Sequence, residues 1–240
     1  MEFRLRMPIN AAIIILGFWS PWIEAWGIGR RISLIEWLAL ELSRSGTMSF
    51  SVATTVLVIV AALFAVACAL FRVWGTAYLG PTTVNSVTMV AGNMAGGPYR
   101  YVRNPLYIGL WFMVAAMAFL MPVTGSLFAI VLITIVIVRL TLGEETFLKT
   151  ELGESYAAYL HAVPRFVPRL RGAPAPTGAR PHWLRAALAE LTPIGIVVAI
   201  AVFSRNYDLA LAGRIILIAF GASLVARASI LVVVKTEPAK

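Results

Sequence analysis

The stretch PLYIGLWFMVAAMAFLMPVTGSLFAIVLITIVIVRLTLGEETFL (residues 105–148) holds two long apolar runs on either side of MPVTG (residues 121–125). Neither run alternates polar and apolar positions at a helical or strand period. Apolar on all sides and about twenty residues long, each reads as a membrane-spanning helix. In hydrocarbon every backbone N–H and C=O must find its partner inside the protein, and a helix does so within one segment. Pro122 and Gly125 mark the break between the runs, so they fold back as an antiparallel hairpin. The start of the first run and the end of the second then lie on the same membrane face.

The rest of the chain agrees with this class. It has 240 residues, 60% of them hydrophobic and 13% charged, with a mean hydropathy of +0.86. Soluble domains are nearer half apolar and a quarter charged. The expected fold is all-α, a polytopic transmembrane helix bundle of about six spans, at residues 8–27, 50–74, 105–121, 123–142, 183–203 and 209–234. Arg4 and Arg6 before the first span suggest a signal peptide. Trp22, Glu24 and Trp26, where small cleavage-site residues belong, favour a retained helix.

With the N-terminus inside, Arg30, Arg31, Arg44, Arg205 and Arg214 fall outside, and most other basic residues fall inside. This bias places both termini in the cytoplasm. The net charge of +9 therefore reflects topology and attraction to anionic membrane lipids, and no motif points to nucleic acid. Cys68, the single cysteine, excludes an intrachain disulfide and a cysteine-based metal cluster.

Residues 30–46 (RRISLIEWLALELSRSG) read as a helix lying in the outer interface. RGAPAPTGARP, from residue 171, reads as a linker. The expected organisation is a membrane core over residues 1–170, a linker over 171–182 and a C-terminal transmembrane hairpin over 183–240.

The hairpin brings two polar groups to one face. YRYVRNPLY (residues 99–107) opens its first helix, and RLTLGEETFLKTELG (residues 139–153) closes its second, whose helical pattern runs to about Gly153. Glu144 and Glu145 point about 100° apart, so one faces inward and the other the rim. A surface ion pair between Glu145 and Lys149, four residues on, is the competing reading. Arg139 stands inside an apolar helix. It either faces a cavity, as ionisable groups in membranes commonly do, or extends to the nearby surface. Arg100 and Arg103, with Tyr99, Tyr101 and Tyr107, suit a membrane-interface belt, and Asn104–Pro105 suits a helix start. Downstream, GESYAAYLHAVPRFVPRL (residues 153–170) carries Tyr156, Tyr159 and an extended basic segment set by Pro164 and Pro168. His161 has no second ligand near it and His182 lies in the linker, so no metal site is expected.

The ordered set GPYRYVRNPLYIG, EETFL and LGESYAAYLHAVPRFVP resembles the isoprenylcysteine carboxyl methyltransferase family and the related phospholipid N-methyltransferases. Their pattern is G-P-Y-x-x-x-R-H-P-x-Y-x-G, then E-E-x-x-L, then F-G-x-x-Y-x-x-Y with V-P-x-x-x-P. The likeness covers residues 96–170. It implies an integral-membrane enzyme using S-adenosylmethionine at the cytoplasmic face, with no strand-and-glycine dinucleotide fold. It implies cofactor contacts from Gly97, Tyr99, Arg103, Asn104, Pro105, Tyr107, Glu144, Glu145, Tyr156 and Tyr159. Asn104 departs from the family's histidine; an amide donates and accepts but does not titrate near neutrality. The two C-terminal spans are a second departure, because the family's motif usually lies near the chain end.

Methyl transfer is an in-line displacement that needs two reactants held close and water kept out. A lipophilic acceptor entering from the bilayer is expected. A carboxylate acceptor needs a positioning cation such as Arg139 or Arg165. An amine has to lose a proton, for which Glu145 is the candidate. Two other readings use the same residues: an NADPH-dependent membrane reductase of the sterol-reductase type, and a non-catalytic lipid-binding protein.

Overall fold

The computed structural model describes residues 2–20, 32–79, 96–175 and 178–236. All its described regular structure is helical: α1 Glu2–Phe18, α2 Leu34–Arg44, α3 Phe50–Leu79, a 3-10 turn Gly97–Arg100, α4 Pro105–Ala118, α5 Val123–Leu152, α6 Glu154–Ala162, α7 Trp183–Ala189, α8 Leu191–Asn206 and α9 Leu209–Thr236. Among the described residues, three helices are long and apolar enough to cross a membrane: Phe50–Leu79, Val123–Leu152 and Leu209–Ile230. The bent pair Trp183–Ala189 and Leu191–Asn206 is a fourth if counted as one span.

The other two expected spans are shorter as helices. Helix α4 has 14 residues, about 21 Å at the rise of an α-helix, against about 30 Å of bilayer core. Helix α1 has a similarly short apolar part, Arg6–Phe18. The far end of the first expected span, with Trp22, Glu24 and Trp26, lies outside the described residues, as do Arg30 and Arg31.

The chain forms two compact units. The first comprises Met1–Ala67, Trp111–Leu140 and Ile196–Ile215, and the second comprises Cys68–Leu110, Thr141–Gly195 and Ile216–Lys240.

In the first unit the hairpin turn is tighter than MPVTG suggested. Helix α4 stops at Ala118 and α5 begins at Val123, so Gly125 is already helical. Ser126 makes this possible by donating to the Ala118 and Pro122 carbonyls at 2.6 and 2.9 Å. The turn is apolar and buried at Leu120 and Met121. Its remaining carbonyls meet the free N–H groups that every helix start leaves over. Leu34 N–H donates to Met121 O and Ile35 N–H to Phe119 O. Helix α2 is thus docked end-on, and Ser33 and Glu36 form a reciprocal capping box at the same end. Ile35 and Ala39 are buried while Trp37 is exposed, so the helix buries one side. Helix α1 approaches α5 through Gly17 and Gly125: a Cβ at Gly125 would collide with the Gly17 carbonyl. Small residues permit such close backbone contact in membrane bundles. Phe64 adds ring contacts to Trp111, Phe112 and Phe119.

In the second unit Gly75 and Gly109 do the same work. A Cβ at Gly75 would meet Leu106 at 2.7 Å, and one at Gly109 would meet the Arg72 side chain at 2.6 Å. The expected span at 183–203 is broken at Glu190, with a 65° bend. Pro193 explains the break, because its ring has no N–H and clashes with the carbonyl four residues back, Ala189. That freed carbonyl accepts from Ser223 Oγ and Arg227 Nε, both at 2.7 Å. Glu190, 2% exposed, accepts two hydrogen bonds from Arg72 at 2.8 Å, one from Thr76 at 2.9 Å and one from Arg227 at 3.0 Å. A broken helix is tolerated in lipid when neighbouring helices satisfy its backbone in this way.

Gly125→Ala should weaken the first unit by about 1–3 kcal/mol, the usual cost of overpacking a close contact. Denaturant unfolding in detergent reads this, and an unchanged midpoint would show that α1 yields without cost.

Candidate active site

The site belongs to the second unit and starts at Gly97. Its φ of +50° is a conformation that glycine adopts readily, and a Cβ there would run into the Tyr78 ring. The turn that follows buries Pro98, Tyr99 and Val102. Asn104 and the buried Pro105 then start α4. The Asn104 carbonyl accepts from Ile108 N–H, as an N-cap's does. Its side-chain amide instead donates to the Arg165 carbonyl at 3.3 Å.

Glu145 is the hub. It is 7% exposed and accepts from Arg103 Nη1 at 2.9 Å and from Arg165 Nη2 at 2.7 Å, with Arg165 Nε at 3.1 and 3.2 Å from its two oxygens. The ion pairs it makes here are therefore with Arg103 and Arg165, while Lys149 stands exposed. Glu144, half-buried, accepts from Tyr107 Oη at 2.7 Å. The adjacent carboxylates thus meet different partners, as their 100° separation requires.

Residues 163–169, bent and without regular secondary structure, run against this arrangement as a strap. Arg103 N–H donates to the Pro164 carbonyl and Arg169 N–H to the Tyr101 carbonyl, both at 2.9 Å. Gly153, at φ +59°, turns the chain from α5 into α6. Helix α6 brings up Tyr159, whose hydroxyl donates to the Tyr99 carbonyl at 2.8 Å, and the buried Tyr156, whose ring centre is 5.8 Å from that of Tyr159.

Burial pushes the Tyr99 phenol well above its usual range, and the neighbouring Tyr159 adds to the effect. Burial also raises Tyr159, and raises Tyr156 to about 12 with the Glu145 carboxylate contributing. Arg165 is raised by its hydrogen bond to Glu145. All three phenols are protonated donors at neutral pH, as phenols ordinarily are, and burial moves their deprotonation further into the alkaline range. Tyr99 Oη, Arg103 Nε and Thr141 Oγ1 are buried without a hydrogen-bond partner among the described residues. Such groups are costly to leave unpaired, and a polar ligand would relieve them.

Eleven of the expected site residues thus share the second unit: Gly97, Tyr99, Arg103, Asn104, Pro105, Tyr107, Glu144, Glu145, Tyr156, Tyr159 and Arg165. Arg139 is carried by the same helix as the Glu pair but belongs to the first unit. The Arg72–Glu190–Arg227 cluster was not anticipated. Its signal was there, since Arg72, Glu190 and Arg227 each interrupt an apolar run. Among the described residues no group of three or more His, Cys, Asp or Glu side chains is placed to hold a metal ion.

Residues 56–155 match the phospholipid methyltransferase family. Over 70 residues the chain is 39% identical to a methanethiol S-methyltransferase of Crocosphaera subtropica. That alignment takes in 29% of this chain and 27% of the relative, so the chain spans little more than a quarter of that protein's length. No solved structure matches.

Two outcomes follow from the geometry. Glu145→Gln leaves two guanidinium groups facing a neutral amide. Breaking a buried pair costs about 3–5 kcal/mol, and the partial exposure of Arg165 lowers the expectation to about 2–3 kcal/mol, read by denaturant unfolding. The raised phenols set the alkaline limit. Their folded values lie above the unfolded value, so stability is intact below about pH 10 and falls as pH rises through 10 to 12 and beyond. A flat unfolding midpoint up to pH 12 would contradict this.

Proposed function

We propose that this chain, whose residues 56–155 match the phospholipid methyltransferase family, is a member of the isoprenylcysteine and phospholipid methyltransferase group and transfers a methyl group from S-adenosylmethionine to a lipophilic acceptor at the cytoplasmic membrane face. The proposed arrangement keeps six membrane passes with both termini inside. Residues 1–170 form the methyltransferase core, 171–182 a linker and 183–240 a C-terminal hairpin. The observation that carries the proposal is the Glu145 cluster: two arginines from separate segments held on one carboxylate, beside a second carboxylate held by Tyr107.

The residues suit the cofactor's chemistry. Arg103 Nε and Tyr99 Oη are buried donors awaiting an acceptor, which a carboxylate or ribose oxygen provides. Glu144 suits the ammonium or a ribose hydroxyl. Tyr156 offers an aromatic face to a base or a cation. Bound there, the cofactor supplies an activated methyl group. The chain's own work is to orient it, to exclude water through the strap, and to admit the acceptor beside it. Arg165 then has two tasks, holding the strap to Glu145 and presenting positive charge to an anionic acceptor. Arg139 is the second candidate cation. For an amine acceptor the proton goes to Glu145 or to water.

A second reading takes the acceptor to be a small thiol, favoured by the likeness to the methanethiol enzyme. Thiolates are strong nucleophiles, and the Arg165 guanidinium would stabilise one. Both readings separate from the NADPH-dependent reductase and from a non-catalytic lipid-binding protein by cofactor choice and turnover.

Calorimetry on the purified chain should show binding of S-adenosylmethionine and none of NADPH. Glu144→Gln should weaken it about tenfold, the loss of one charge-assisted contact. Binding of NADPH alone would overturn the proposal. Labelled methyl transfer to phosphatidylethanolamine, an isoprenylcysteine or methanethiol then identifies the acceptor class.

A further inference from the structure

The strap has two sides with different chemistry. Its inner side belongs to the site: the Pro164 and Arg165 carbonyls accept from Arg103 N–H and the Asn104 amide, and the Arg165 guanidinium lies on Glu145. Its outer side carries Val167 and Leu170, 77% and 80% exposed, with Arg169 and Arg171 exposed beside them. Residues 163–171 hold three arginines and no acidic residue. Large apolar side chains left this bare beside guanidinium groups are costly in water and well suited to a lipid interface, where the apolar groups sink and the arginines meet phosphate. Pro164 and Pro168 stiffen the segment, so little ordering cost is left for docking.

We propose that residues 163–171 dock on the anionic headgroups of the bilayer that holds the chain, and that this contact keeps the inner side of the strap closed on Arg103, Asn104 and Glu145. A lipid surface fits better than a protein partner on three grounds. The strap follows the polar end of spanning helix α5 by only the short helix α6, which keeps it near the interface. Its charge is uniformly positive. Its apolar groups sit singly between basic ones instead of forming a groove. The docking stands without any assumption about catalysis or cofactor.

The test is hydrogen exchange of the full chain in nanodiscs of phosphatidylcholine, with and without phosphatidylglycerol, and with no cofactor present. Amides in residues 101–103 and 163–171 should exchange about tenfold more slowly in the anionic discs, on the basis of the attraction each basic residue gains near a charged surface. Arg169→Gln combined with Arg171→Gln should abolish the difference, and the double Lys variant should keep it. Equal exchange in the two lipids, or a difference that survives the double Gln variant, would overturn the proposal. So would protection by a soluble acidic peptide in neutral discs with none from phosphatidylglycerol, which would assign the surface to a protein partner. Because no cofactor or acceptor enters the measurement, its failure is distinct from failure of the methyltransferase reading.

Discussion

One carboxylate shared by two guanidinium groups holds the candidate site together. Glu145 comes from the polar end of a membrane-length helix, Arg103 from the turn before α4, and Arg165 from a strap some twenty residues further along the chain. Val102 and Val163, near the two arginines in the chain, are buried apolar neighbours of the cluster. The alternative for Arg103, 12% exposed at its side chain, is a charge held away from water without a counter-ion, which proteins do not tolerate cheaply. The ion-pair hub therefore sets the position of the strap, and the strap sets the position of Asn104. The phenols complete the enclosure as neutral donors.

The same constraint operates at the helix break. Pro193 strips Ala189 of its helical partner, and in hydrocarbon that carbonyl has to be satisfied by protein. Ser223 and Arg227 do so, and Glu190 then balances Arg227 and Arg72. The cluster is again one buried carboxylate between two arginines. Such groupings contribute specificity of register more reliably than net stability, which suits helices whose apolar faces alone would slide.

Much of this was legible in the residues. All-apolar runs around Pro122 gave the α4–α5 hairpin, and the end of α5 at Gly153 followed from the pattern. The Gly-Pro-Tyr and Glu-Glu motifs pointed to the candidate site and to the family resemblance, and residues 56–155 match the phospholipid methyltransferase family. What stayed hidden is side-chain partnership. Spacing offered Lys149 as the partner of Glu145, because i,i+4 neighbours are visible in a sequence and tertiary ones are not. Asn104 was legible as a helix start from its backbone role, but not in the contact of its amide with the strap. The span count is met only in part for a similar reason: three or four of the six expected spans have membrane length among the described residues. An apolar run shows that a segment avoids water, and only the position of its turns shows whether it crosses a bilayer. Pro193 announced a break that hydropathy averaged away.

The most direct test is an experimental structure of the chain in lipid with S-adenosylhomocysteine, the product form of the cofactor. The ligand is expected enclosed by Tyr99, Arg103 and Glu144, with the Arg103–Glu145–Arg165 bridge intact beneath the strap. Ligand bound elsewhere on the chain, or a strap lifted away with Glu145 facing solvent, would contradict this expectation.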